Sequence, residues 1–254
     1  MSLSDQNRSR SSADRIANHE SMLVSALHEA APAIYVAFAA ACCERLIPAY
    51  AYFSRVAERG DTATLRAALD AIWEHLSGAQ PGTISFSTHA ELCAACVPSH
   101  DGTTPILTSL AEIAGNCVLY TVESCDSFNP NVSVIASRSV IEAIDLYLWA
   151  AANPFPDASS LRGLFADAAP DERARRHRRV QTSLQDWIIE SPLLRSELQE
   201  QLADVRRLRA HASLGRETLQ ALRSSASHRG LQLERRGLFP SRGKSGIGGV
   251  GVAG

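Results

Sequence analysis

No uncharged run in this sequence is long enough to cross a bilayer. The longest uncharged run, residues 30–43, lies between Glu29 and Glu44 and suits a buried helix. Residues 1–10 read MSLSDQNRSR, a polar start with no secretion signal, so a soluble cytoplasmic protein is expected. An excess of either charge is missing too. With 25 Lys and Arg against 27 Asp and Glu, the formal net charge is −2, so no global field draws the chain onto nucleic acid or acidic lipid. There is no alternating pattern long enough to build a sheet, and no repeat at solenoid spacing. Neither a Gly-x-Ser-x-Gly elbow nor a His-Glu-x-x-His zinc motif occurs. The six cysteines, at positions 42, 43, 93, 96, 117 and 125, do not read as the disulfide framework of a small secreted domain and are expected as reduced core residues.

What is present is helical periodicity on a composition that is 45% apolar and 20% charged, enough for a core without metal or disulfide staples. A Ser-, Asn- and Arg-rich tail over 1–12 is expected to be disordered, with a helix from residue 12 or 13 to 30. Pro32 fits the first turn of a second helix, in which Ile34, Phe38, Cys42 and Leu46 form a stripe. Pro48 should kink or restart it. Gly60 reads as a stop and Asp61 as the N-cap of a third helix, with Leu65, Leu69, Ile72, Trp73 and Leu76 on one face. Arg66, Asp70 and Glu74 line its other side as a solvated charge row. Further helices are expected over 88–97, 106–122, 134–148 and 170–189, and a final one follows Pro192 with Leu194, Leu198, Leu202, Val205 and Leu208. Beyond about 224 the pattern degrades into an irregular, Gly-rich tail. The expectation is an all-α, single multi-helix bundle over 13–224 with flexible ends.

Two segments carry a family resemblance. Cys43-Glu44-Arg45, two residues, Pro48, one residue, Tyr50, then Phe53, is one. Ile72-Trp73-Glu74 is the other. Together they resemble the domain of unknown function 416 family of bacterial YjaG-like proteins, with looser likeness around Pro105, Ser139-Val140, Pro192 and Ser245-Gly246-Ile247-Gly248. The resemblance spans roughly 33–248 and implies an all-helical fold without an established activity. A signalling association suggested for the family from gene neighbourhood would imply a regulatory role.

Candidate chemistry competes with plainer explanations. Glu44 and Arg45 flank Pro48 and would either face a ligand or pair with other segments and satisfy carbonyls freed by the proline; pairing is the cheaper account. Asp70 and Glu74 are one turn apart, but His75 points about 100° from Glu74 on a helix, so no metal is expected. Cys93-Ala-Ala-Cys96 lacks a second pair for zinc and a preceding strand for redox work. Residues 237–245 place five residues, not four, between the first Gly and Gly-Lys-Ser, so the phosphate-loop reading fails and no cofactor is expected. The basic run Arg173, Arg175, Arg176, Arg178 and Arg179 lacks interleaved aromatics and reads as a solvated face, making nucleic acid an improbable partner. No catalytic residue is identified. A non-catalytic interaction or regulatory protein with a protein partner is the leading expectation, an immunity protein included. The rival is an enzyme or small-molecule binder with a pocket near Glu44, Arg45 and Trp73-Glu74.

Overall fold

The computed structural model describes residues 3–78, 85–99, 105–152, 190–210 and 214–231. Among them are eight α-helices and no strand: α1 (Leu3–Leu27), α2 (Pro32–Ala57), α3 (Thr62–Leu76), α4 (Phe86–Cys96), α5 (Pro105–Asp126), α6 (Val132–Ala152), α7 (Pro192–Arg209) and α8 (Arg216–His228). The fold is all-α.

Helix α2 is the axle. It packs against α3, α5, α6, α7 and α8, while α4 lies on α5 and α3, and α1 rests mainly on α7. Its composition explains the position: a helix that is apolar on every side has no face to give to water. Residues Ala37, Ala39, Ala40, Ala41, Cys42 and Cys43 are fully buried, and their small side chains let neighbouring helices approach closely. Phe38, Leu46 and Phe53 fill the larger gaps, each burial contributing about 1.5–3 kcal/mol. By length and composition α2 alone among the described helices could cross a membrane, but 78% of its apolar window is buried inside this bundle.

Local chemistry sets the helix ends. Helix α2 stops at Glu58, which takes the left-handed conformation at φ +53°, two residues before the expected Gly60. Asp61 caps α3 as expected, accepting from the Ala63 and Thr64 amides at 2.9 and 3.1 Å. Ser85 and Ser191 cap α4 and α7, each accepting an amide three residues on at 3.2 Å.

Several expectations are revised. Helix α1 reaches back to Leu3, so residues 3–12 are helical where composition suggested disorder; no Pro or Gly interrupts a helix already nucleated further on. Pro48 does not restart α2, which is one continuous helix. The Arg45 carbonyl, three residues before the proline, accepts from the Leu231 amide at 2.8 Å. Helix α8 was unexpected, and the helix after Pro192 is therefore not the last. Its apolar face is only Leu219, Leu222 and Ala226, too short to stand out from a polar background. The helix expected at 170–189, the basic run at 173–179 and the glycine-rich end beyond 231 lie outside the described residues.

Candidate functional site

Glu44 and Arg45 are neighbours in sequence, but successive helical side chains diverge by about 100°, so they leave α2 in different directions. Both are buried, 1% and 2% exposed. Glu44 points at α3 and α8. Its carboxylate accepts from Arg66 Nη1 at 2.8 and 2.9 Å, Trp73 Nε1 at 3.0 Å, Arg223 Nε at 3.0 Å and Ser227 Oγ at 2.9 Å. Arg223 also bonds Asp70, which lies 3.8 Å from Arg66. Arg66 therefore belongs to a buried carboxylate more than to the surface row expected of it.

Arg45 points at α7. It pairs with Asp204 and lies 3.4 Å from Glu197, while Asp204 also takes Arg207 at 2.7 Å. Burial works against the Arg45 charge, but Glu197, the neighbouring Cys42 and Asp204 outweigh it and hold its pKa above the usual arginine value. The network extends inward. Gln201 donates Nε2 to Glu197 at 3.0 Å, so its Oε1 is the acceptor for the Ser137 hydroxyl at 2.6 Å and for His19 Nε2 at 2.9 Å. That assigns the His19 proton to Nε2.

The remaining motif residues are also used internally. Cys43 Sγ sits 3.4 Å from Cys117 Sγ and 3.3 Å from Thr121 Oγ1. Pro48 is covered by Gly230, where a Cβ would come within 2.5 Å of the proline Cγ. Tyr50 donates its hydroxyl to the Cys96 carbonyl at 2.7 Å and accepts the Asp61 amide at 3.3 Å, fastening α2 to α4 and to the start of α3. Trp73 is buried on Glu44, whereas Glu74 is exposed. The two motifs do converge, but on a core clamp. Only Trp73 and Glu74 reach an outer concavity, a cleft of about 180 Å³ between α3 and α8 that Arg216, Leu219, Gln220 and Arg223 complete.

The cysteines lack the signature of a reactive site. All six are free. Burial pushes the Cys93 and Cys125 thiols up to about 12 and raises Cys96 and Cys42 above the usual thiol value. A nucleophilic thiol needs the opposite shift. Among the described residues no three His, Cys, Asp or Glu side chains cluster in a way that could hold a metal.

The residues that complete the clamp were missed by sequence reasoning. Glu197, Gln201 and Asp204 are spaced by four and three, one face of a helix, and all are buried. A polar stripe interleaved with Leu194, Val205 and Leu208 was the available signal. Arg223 and Ser227 carried none, because α8 itself was not expected.

Residues 23–107 match the sequence profile of DUF416, a protein of unknown function. Over this segment the chain is similar to the DUF416 family. The match runs from late α1 to the start of α5 and includes both motifs, so the family resemblance is borne out. The crystal structure of a DUF416 family protein from Shewanella baltica OS155 aligns with a TM-score of 0.64 at 18% identity, covering 83% of this chain and 95% of that one. At that identity the likeness establishes a shared fold, which extends past the DUF416 segment. No curated protein matches.

Proposed function

We propose that this protein acts by binding another protein rather than by catalysis, as an interaction or regulatory component of the bacterial cytoplasm. The supporting observation is how the motif is spent. Cys43, Glu44, Arg45 and Tyr50 all have internal partners, so the groups best suited to chemistry hold helices together. What remains for function is surface. An immunity protein, which needs only a complementary face, is one form this role could take. The test is affinity capture from native lysate, followed by reassembly of chain and captured protein from purified components. A saturable complex of fixed stoichiometry is expected. Recovery of the chain alone under gentle conditions would overturn the reading.

A second reading, a small-molecule binder, is favoured by the α3–α8 cleft, which adjoins Trp73 and Glu74. A thermal-shift screen over metabolites addresses it, because a ligand at a hundred times its dissociation constant adds about 2.7 kcal/mol.

A further inference from the structure

The α3–α8 cleft has an apolar floor and two charged walls. Trp73 and Leu219 form the floor, only 5% and 3% exposed. Arg216 and Arg223 stand on the α8 side and Glu74 on the α3 side. Arg223 is held from behind, with Nε on Glu44 and Nη2 on Asp70, so both N–H groups of its Nη1 lie outside those pairs. Arg216 and Glu74 are exposed and unpaired among the described residues.

Their positions cost stability. Arg216 is the first residue of α8, at the positive end of the helix dipole, and Glu74 lies in the last turn of α3, at the negative end. Each charge faces the helix end that disfavours it. A ligand bringing a carboxylate to Arg216 and an ammonium to Glu74 would offset both, with its apolar part on Trp73 and Leu219. The volume of about 180 Å³ is well below that of sites for drug-sized ligands, so the occupant is small.

We propose that this cleft binds a free α-amino acid with an apolar side chain. The proposal rests on the small-molecule reading above and narrows it to zwitterions. The test titrates the full-length protein with L-phenylalanine, with phenylacetate, which lacks the ammonium, and with phenethylamine, which lacks the carboxylate. Calorimetry gives affinity, and the Trp73 indole N–H resonance reports on the cleft. L-phenylalanine should saturate with Kd on the order of 1 mM or tighter. Each analogue should bind about tenfold more weakly, as should L-phenylalanine to R216Q or E74Q. Both variants change exposed residues and should melt at or slightly above the wild-type temperature, since each removes a charge opposed to its helix dipole. Phenylacetate or phenethylamine binding as tightly as L-phenylalanine, with the Trp73 resonance moving, would overturn the zwitterion and leave the cleft as a ligand site. Indifference of L-phenylalanine binding to R216Q and E74Q would also overturn the proposal. No movement of Trp73 with any of the three at about 10 mM would remove both the proposal and the small-molecule reading.

Discussion

Glu44→Gln separates a structural carboxylate from a functional one by the sign of its effect. The substitution keeps the size of the side chain and removes its charge. Two guanidiniums, an indole N–H and a hydroxyl converge on Glu44, and glutamine would turn an NH2 group towards some of these donors. Breaking a fully buried ion pair costs about 3–5 kcal/mol. The Arg66 and Arg223 side chains are 32% and 35% exposed, so water recovers part of that loss, and about 2–3 kcal/mol is expected. In a chain of this size that lowers Tm by roughly 5–10 °C. Urea unfolding followed by circular dichroism measures the free energy, and calorimetry measures Tm. Arg223→Gln alone should cost less, because its partner keeps Arg66. The double variant should cost less than the two singles summed, since they remove the same interaction. If Glu44→Gln proves as stable as wild type or more so, Glu44 is not the clamp described here. That outcome is expected of a carboxylate kept for function at the expense of stability.

Tyr50→Phe strands the Cys96 carbonyl and the Asp61 amide and should cost about 1–3 kcal/mol, read from the urea midpoint. Gly230→Ala drives a methyl group into Pro48, where the nearest atom is 2.5 Å from the new Cβ, and should destabilise by about 1–3 kcal/mol. Hydrogen exchange should place the loosening in α8 first. Alkali should weaken the fold: burial raises Cys93 and Cys125 from 9.0 to about 12 and Tyr50 from 10.0 to about 12, so the native state binds more protons than the unfolded chain in that window. Stability should be flat below pH 9 and fall progressively towards pH 12 in urea titrations. A midpoint unchanged between pH 8 and pH 11 would contradict those shifts.

The sequence made the helical class readable because the apolar stripes are strong. Leu65, Leu69, Ile72 and Trp73 are all buried on one face of α3, and Asp61 caps it through the expected oxygen. Boundaries were less legible. Helices α5 and α6 each outrun their apolar stripes, and several of the added residues are small or polar side chains that are nonetheless buried, Ser124, Ser133 and Ala150 among them. The α7 face was only half-read: Leu198 and Leu202 are partly exposed, while Glu197, Gln201 and Asp204 are buried. Periodicity counts apolar residues, and here polar ones take the inward positions because Arg45 meets them there. Arg66 was misplaced for a related reason. A charge four residues from Asp70 looks solvated until a buried carboxylate on another helix is known. The pairing of Arg66 with a carboxylate on another helix leaves no periodic trace.

The charges at the axle supply a selectivity that apolar packing lacks. Helices α7 and α8 are both predominantly polar and amphipathic, and either could offer leucines to α2. Glu44 holds α8 through Arg223 and Ser227, whereas Arg45 holds α7 through Glu197 and Asp204. Exchanging the two helices would set Arg45 against Arg223 and Glu44 against Glu197 and Asp204, burying like charges together. Buried ion pairs add little net stability over apolar packing, but a mismatched one is expensive. A Glu-Arg dipeptide on a central helix thus assigns each C-terminal helix to its own side. It would do so whatever surface the finished bundle presents, so this motif identifies how the chain assembles and leaves the proposed ligand site to the rim, where Arg216 and Glu74 oppose their own helix dipoles.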